Sequence, residues 1–233
     1  MDTHDIIKHN LKNIFDKVTI ACQKSNRDIS EIKILGASKT VSPDIINIAH
    51  SYGINIFGEN RVQEFLEKYQ YVNNVEWHFI GRLQTNKIKY IYDKVSLIHS
   101  IDKIDQLIEL EKRCDMGKCK SNILLEINIS GEQSKGGISP DKIDIFIDQI
   151  IKLKNIFLKG FMTIPPFEEN PENNRIYFKK MHEIFEKYKN LNYNNVNIEI
   201  LSMGMSDDFD IAIEEGSNLI RIGTKLFGER KRE

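Results

Sequence analysis

Apolar runs short enough for strands alternate with amphipathic, helix-length stretches eight times along this chain. Few folds accommodate that rhythm. Residues 5–23 read as a leading helix, because Ile6, Ile7, Leu11, Ile14, Phe15 and Val18 recur at three- and four-residue spacing. Strands are predicted over 32–38, 55–58, 76–81, 95–100, 122–129, 156–162, 198–202 and 218–222. Helices are predicted over 42–52, 61–71, 86–92, 102–113, 139–153, 171–190 and 207–215, with a short closing segment at 224–230. Ser42-Pro43 and Ser139-Pro140 mark helix starts, each an N-cap hydroxyl followed by a ring that presets helical φ. Strands that alternate with helices imply right-handed crossovers and a parallel sheet. Eight such units in 233 residues suit an α/β fold of the (β/α)8 TIM-barrel type, one domain over 1–233. A doubly wound open sheet is the alternative.

Composition narrows the function. Lys and Arg number 33 against 34 Asp and Glu, a net charge of −1, which argues against a nucleic-acid or polybasic membrane binder. No apolar run approaches the roughly 20 residues of a membrane span. Met1-Asp2-Thr3-His4-Asp5 carries no basic, then apolar, leader. Three cysteines, Cys22, Cys114 and Cys119, fit a reducing cytoplasm better than a disulfide framework. The six His and three Cys have no metal spacing. There is no Walker loop, dinucleotide fingerprint or nucleophile elbow. A globule of this size and charge suits a monomer or a weak dimer.

In a barrel the chemistry sits at the C-terminal ends of the strands. The first strand ends in Ser38-Lys39-Thr40, after small Gly36 and Ala37 that leave room beside the backbone. A lysine in a barrel mouth can lose its proton and act as a nucleophile; a solvated surface lysine is the plainer reading. The seventh strand runs into Leu201 to Asp208, through Ser202, Met203, Gly204 and Ser206. That turn is either an anion nest or a simple N-cap by Ser206, and Asp207 and Asp208 oppose an anion on its helix. In the eighth strand Arg221 interrupts an apolar run, and Gly223-Thr224 offers N–H groups and a hydroxyl at a helix start. His78 reads first as a satisfied core histidine. Ser134-Lys135-Gly136-Gly137 reads as a mobile turn rather than a phosphate loop.

Together these segments resemble the pyridoxal phosphate homeostasis protein family. The matching motifs are Ala37 to Thr40, Phe57 to Glu64 and Trp77 to Gly81 with Leu83 to Lys87. Further on they are Ile127 to Ile129, Ser134 to Gly137, Gly160 to Phe167, Leu201 to Asp208 and Arg221 to Gly228. The resemblance runs nearly end to end. It implies a barrel similar to the N-terminal domain of alanine racemase, with pyridoxal 5'-phosphate as cofactor, held as an internal aldimine on Lys39. It implies that Ser202, Ser206, Gly223 and Thr224, with Met203 and Gly204 in the same turn, surround the phosphate. It implies that Arg221 faces the pyridine nitrogen and that Asn60 and His78 lie near the cofactor. The chain departs from many relatives at Thr40-Val41-Ser42-Pro43, where a Lys or Gln usually precedes the proline, so no second lysine stands beside Lys39.

Free lysine has a pKa of roughly 10.4, so attack on an aldehyde at neutral pH needs a depressed value; burial and Arg221 favour that, and a phosphate opposes it. The expected function is non-catalytic: to hold pyridoxal phosphate and to buffer it or deliver it to apo-enzymes. The competing reading is an amino-acid racemase. Racemisation needs a second acid/base on the opposite face, and the chain is expected to lack the further domain that supplies one. An interaction domain without cofactor is the third reading.

Overall fold

The computed structural model describes residues 2–132, 135–191 and 193–228. Helix α1 (Thr3–Ser25) leads, with the Asp2 carboxylate capping it by accepting from the Asp5 N–H at 2.8 Å. The strands are β1 (Lys33–Ala37), β2 (Ile56–Glu59), β3 (Glu76–Phe79), β4 (Leu97–Ile101), β5 (Ser121–Glu126), β6 (Ile156–Met162), β7 (Val196–Ser202) and β8 (Leu219–Ile222). Between and after them come α2 (Pro43–Ser51), α3 (Val62–Tyr69), α4 (Ile104–Gly117), α5 (Ile143–Ile150), α6 (Arg175–Tyr188), α7 (Phe209–Glu214) and α8 (Thr224–Phe227). A 3-10 segment, Thr85–Tyr90, joins β3 to β4. All eight strands pair in parallel, each with its sequence neighbour, and β8 closes on β1 through Lys33↔Leu219 and Leu35↔Arg221. Closure rules out the open doubly wound sheet. Among the described residues no helix is long and apolar enough to cross a membrane.

Two apolar layers follow from strand alternation. Leu35, Ile56, Ile80, Leu97, Leu124, Met162 and Leu219 point inward and fill the barrel, with Ala37 and Ile200 against them. Their sequence neighbours, such as Phe57, Phe79, Ile98, Leu125, Phe161, Leu201 and Ile220, point outward into the larger helix–sheet layer. Polar residues also face inward: His78 at the level of the stack, and His99, Glu126, Ser202 and Arg221 nearer the mouth. A barrel interior is normally a dry stack of aliphatic side chains. Here that stack stops partway up, and the site begins above it.

The departures from the predicted elements are local. In α1 the buried stripe is Ile7, Leu11, Ile14, Val18, Ala21 and Cys22, while Ile6 and Phe15 stay about 40% exposed. Pro43 does open α2, but the Ser42 hydroxyl makes no cap bond. The predicted strand 122–129 ends at Glu126; Ile127 instead forms an isolated bridge to Ile138. The predicted helix 171–190 begins as a 3-10 turn before α6. Arg230, in the predicted closing segment, lies outside the described residues.

Gly160 in β6 has φ +145 and pairs with Ile200 of β7 beside a register shift. A Cβ at this position would collide with the Ile200 carbonyl oxygen. Gly160→Ala is expected to lower the unfolding free energy by about 2 kcal/mol or more, read as a fall in the urea midpoint at unchanged slope.

Candidate functional site

Lys39 follows β1 in phase with the inward-facing Leu35 and Ala37, and it is partly buried. The residues on either side of it are clamped. The Ser38 hydroxyl donates to Glu59 Oε1 at 2.6 Å, and the Lys68 amine donates to both Glu59 Oε1 and the Ser38 carbonyl at 2.8 Å. Thr40 sits at φ +63, a conformation unusual for a threonine, and its N–H donates to Glu64 Oε2 at 2.9 Å. Glu59 is fully buried, and that burial pushes its carboxyl pKa up against the opposing bonds from Lys68 and Ser38. The space beside Gly36 has another use than the one predicted: Phe57 and Leu226 of the outer layer occupy it.

Arg221 points from β8 into the barrel and is 4% exposed. Its Nη1 donates to the Ser202 carbonyl at 2.9 Å and the Ser202 hydroxyl at 2.8 Å, and its Nη2 donates to the Thr163 carbonyl at 2.9 Å. Guanidinium has five N–H groups, so Nε–H and one Nη2–H have no partner among the described residues. Burial pulls its pKa down to about 10, with Asp208 and Glu126 opposing, so it stays cationic at neutral pH.

The turns after β7 and β8 are laced together. The Arg221 N–H donates to the Gly204 carbonyl at 3.0 Å. Gly204 has φ +90, and a Cβ there would meet Ala212 at 2.6 Å. Ser206 is not the cap of the helix that follows it. Its hydroxyl oxygen accepts from the N–H groups of Gly223 at 3.2 Å and Lys225 at 3.3 Å, at the head of α8. Asp208 occupies the N-cap position of α7 without a side-chain cap bond; its Oδ1 accepts from the Met205 N–H at 2.7 Å, in the turn before the helix, and its Oδ2 accepts from Asn174 Nδ2 at 2.9 Å. The feared anion is thus folded inward. Thr224 is exposed at the start of α8, and Lys225 reaches Asp207 at 3.5 Å. Met203 is wholly buried in the outer layer, which leaves only its backbone for the site.

His78 lies lower in the barrel and makes no bond to Arg221 directly. It is tied to Glu76 at 3.0 Å and to His99 at 2.9 Å, and His99 reaches Ser202 at 3.1 Å. Asn60 leaves β2 beside a cavity of about 130 Å³ lined also by Arg61, Arg82 and Lys87, and its buried Oδ1 has no partner among the described residues. The expected site residues therefore gather at one end of the barrel, except His78, which stands a layer below.

Sequence reading missed His99, Thr163, Glu126 and Asp102. Glu126 faces the mouth from the end of β5, where burial and the nearby Asp102 charge push its pKa up to about 7 against Arg221 and Arg82. Residues 135–138 are pinned across it: Gly137 N–H reaches Asp102 Oδ2 at 3.4 Å, and Ile138 N–H donates to the Glu126 carbonyl at 2.8 Å. The predicted mobile turn is therefore tied down at Gly137 and at Ile138 just after it, while its Ser134 lies outside the described residues.

These residues fit pyridoxal phosphate. The two Arg221 N–H groups without a partner among the described residues suit a pyridine nitrogen, the Ser206 hydroxyl with the head of α8 suits a phosphate, and Lys39 supplies the amine. The model of the alanine racemase N-terminal domain matches residues 7–231. A pyridoxal phosphate homeostasis protein of Aquifex aeolicus is 46% identical over 95% of this chain and 97% of its own length. An unknown protein from Bifidobacterium adolescentis superposes with a TM-score of 0.90 at 28% identity, covering 97% of both chains. PipY of Synechococcus elongatus, solved with pyridoxal phosphate bound, superposes at 0.74 with 26% identity over 85% of this chain and 93% of its own.

The raised Glu126 pKa fixes a pH dependence. Between pH 4.5 and about 7 the folded state binds more protons than the unfolded one, so this carboxyl costs most stability above pH 7. A shift of that size corresponds to up to about 3 kcal/mol. Glu126→Gln is expected to raise the thermal midpoint at pH 8, and the gain should shrink as the pH falls and vanish near pH 4. A constant gain across that range would contradict the assignment.

Proposed function

Because the chain belongs to the pyridoxal phosphate homeostasis protein family, built on the alanine racemase N-terminal domain, we propose that it binds pyridoxal phosphate reversibly and buffers or delivers it to apo-enzymes without catalysing a reaction. The observation that carries this reading is a buried guanidinium with two N–H groups unpaired among the described residues, in the same barrel mouth as Lys39. The cofactor brings an aldehyde, a pyridine ring and a phosphate to this mouth when bound. Lys39 is the covalent anchor: its nitrogen bonds to the aldehyde carbon, and the carbonyl oxygen leaves as water. The clamp on Ser38 and Thr40 holds that amine in place. Ser206, Gly204, Gly223 and Thr224 receive the phosphate, with Ser202 and Met203 shaping the turn beneath it.

Arg221 faces the ring nitrogen and decides what the site can do. A unit positive charge about 4 Å from a second one costs roughly 4 kcal/mol at an effective dielectric of 20. That is about three pKa units, enough to keep the ring nitrogen unprotonated at neutral pH. An unprotonated ring is a weak electron sink, and carbanion chemistry depends on a strong one. The site therefore suits holding the cofactor. Cys22, Cys114 and Cys119 are free thiols, which supports a reducing, cytoplasmic setting.

One observation favours the enzymatic reading: a carboxyl in the mouth with a pKa of about 7 has the right value for an acid/base. Turnover decides between the two. The loaded wild-type protein is expected to be yellow, to become covalently labelled at Lys39 on borohydride reduction, and to hand its cofactor to an apo-enzyme. No turnover of amino acids is expected; racemisation or decarboxylation with turnover would move the protein into the second class. Lys39→Ala should lose the visible band of the covalent adduct while its circular dichroism persists. Arg221→Glu is expected to shift the visible spectrum of the loaded protein by allowing the ring nitrogen to protonate; an unshifted spectrum would remove Arg221 from that role.

A further inference from the structure

Glu76 opens β3 on the N-terminal face of the barrel, the end opposite the mouth, with its side chain 48% exposed. Its Oε1 lies 3.0 Å from His78 Nε2. His78 Nδ1 lies 2.9 Å from His99 Nε2, and His99 Nδ1 lies 3.1 Å from the Ser202 hydroxyl oxygen. That oxygen lies 2.8 Å from Arg221 Nη1. The contacts form a single file through the barrel, from solvent on one face to the guanidinium beneath the other. Both imidazoles are buried, His99 completely.

Donor counting fixes the direction of the file. An ionised carboxylate only accepts, so His78 must carry its hydrogen on Nε2. A neutral imidazole has one N–H, so His78 Nδ1 accepts and His99 Nε2 donates. By the same step His99 Nδ1 accepts, and the Ser202 hydroxyl donates to it. The Ser202 lone pairs then point to Arg221, which only donates. Reversing either imidazole would place two hydrogens, or none, in one of these gaps. Burial favours neutral rings at both positions; at His78 the bond and charge of Glu76 oppose it and Lys33 adds a smaller push toward neutrality, while at His99 both His78 and Arg221 reinforce it.

We propose that Glu76 is a positioning residue for Arg221, the acceptor that sets both histidine tautomers and the Ser202 hydroxyl so that the guanidinium keeps Nη1 on Ser202 and leaves its spare N–H groups for the cofactor ring. The link to the ring rests on the reading of Arg221 given above; the order of the file does not. A residue on the outer face thereby governs a contact at the opposite end of the barrel without touching the ligand.

Nitrogen-15 spectra of the histidines test the file in the protein before cofactor is added. Wild type is expected to show Nε2–H for both His78 and His99. Glu76→Leu, a change at a half-exposed position, should give mixed tautomers at both rings together. Glu76→Gln, whose amide oxygen still accepts, should restore the wild-type pattern. In the same three proteins loaded with pyridoxal phosphate, Glu76→Leu should weaken binding about 3- to 10-fold and displace the visible maximum, and Glu76→Gln should not. An Nδ1–H signal from either ring of the wild type, or unchanged tautomers in Glu76→Leu, would overturn the file. Altered tautomers with unaltered affinity and spectrum would overturn the positioning role. If the wild type took up no pyridoxal phosphate, the functional reading itself would fall, an outcome distinct from either.

Discussion

A guanidinium buried in a closed barrel imposes conditions on everything near it. Its partners among the described residues are a hydroxyl and two carbonyls, all neutral, so its charge has no close counterion and two of its five N–H groups have no bond there. Asp208 and Glu126 act on it only at longer range, and each of those carboxyls is itself pushed toward its neutral form by burial. A buried charge without a close counterion costs several kcal/mol. That cost is tolerable where an anionic, acceptor-rich ligand completes the environment. The charge of Arg221 and its two uncommitted N–H groups express the same unfinished state, one in electrostatics and one in hydrogen-bond count.

The Lys39 side of the mouth solves a different problem. A flexible side chain is a useful anchor only if its backbone is fixed, because ordering a turn at the moment of reaction costs conformational entropy. Here the ordering is done in advance. Lys68 and Glu59, paired at 2.8 Å, hold Ser38 from below, and Glu64 holds the Thr40 N–H in a turn that threonine adopts rarely. The Glu59–Lys68 pair is shielded from solvent, so removing either partner would strand a buried charge. The two halves of the site thus differ in kind: β8 contributes an incomplete charge, and β1 a rigid support.

How much of this was legible in the amino-acid order follows from the range of each interaction. Strand alternation is local, so the eight units and their order could be read, and Arg221 stood out because it breaks an apolar run. Lys39, Gly204 and Gly223 were legible through their strand-end positions. His99 was not: between Ile98 and Ser100 it looks like any strand residue, and its role appears only when β3, β4 and β7 bring His78, His99 and Ser202 into contact. Ser206 was read as a cap for the nearest helix because the competing bond, to the head of α8, spans 17 to 19 residues. Glu126 was invisible for the same reason, since its altered acidity comes from burial in the closed barrel and from Asp102 on another element, opposed by Arg221 and Arg82. Ile6 and Phe15 erred the other way: periodicity places them near the stripe, but the layer beneath α1 is narrower than the pattern.

The electrostatic layout also bears on why a barrel of this type would store a reactive cofactor. On the reading proposed above, Arg221 disfavours protonation of the ring and so weakens the electron sink on which carbanion chemistry depends. Glu126, the group in the mouth best suited to move a proton, is held near neutrality partly by the anionic Asp102 and is opposed by the same Arg221. An acid/base is effective when the ring can accept the electrons that its proton transfer releases; here one guanidinium works against the sink and the base together. Both effects come from a single side chain, so a substitution that frees the ring nitrogen also raises the Glu126 pKa further. On that reading the electron sink and the acid/base are coupled through Arg221 and would change together.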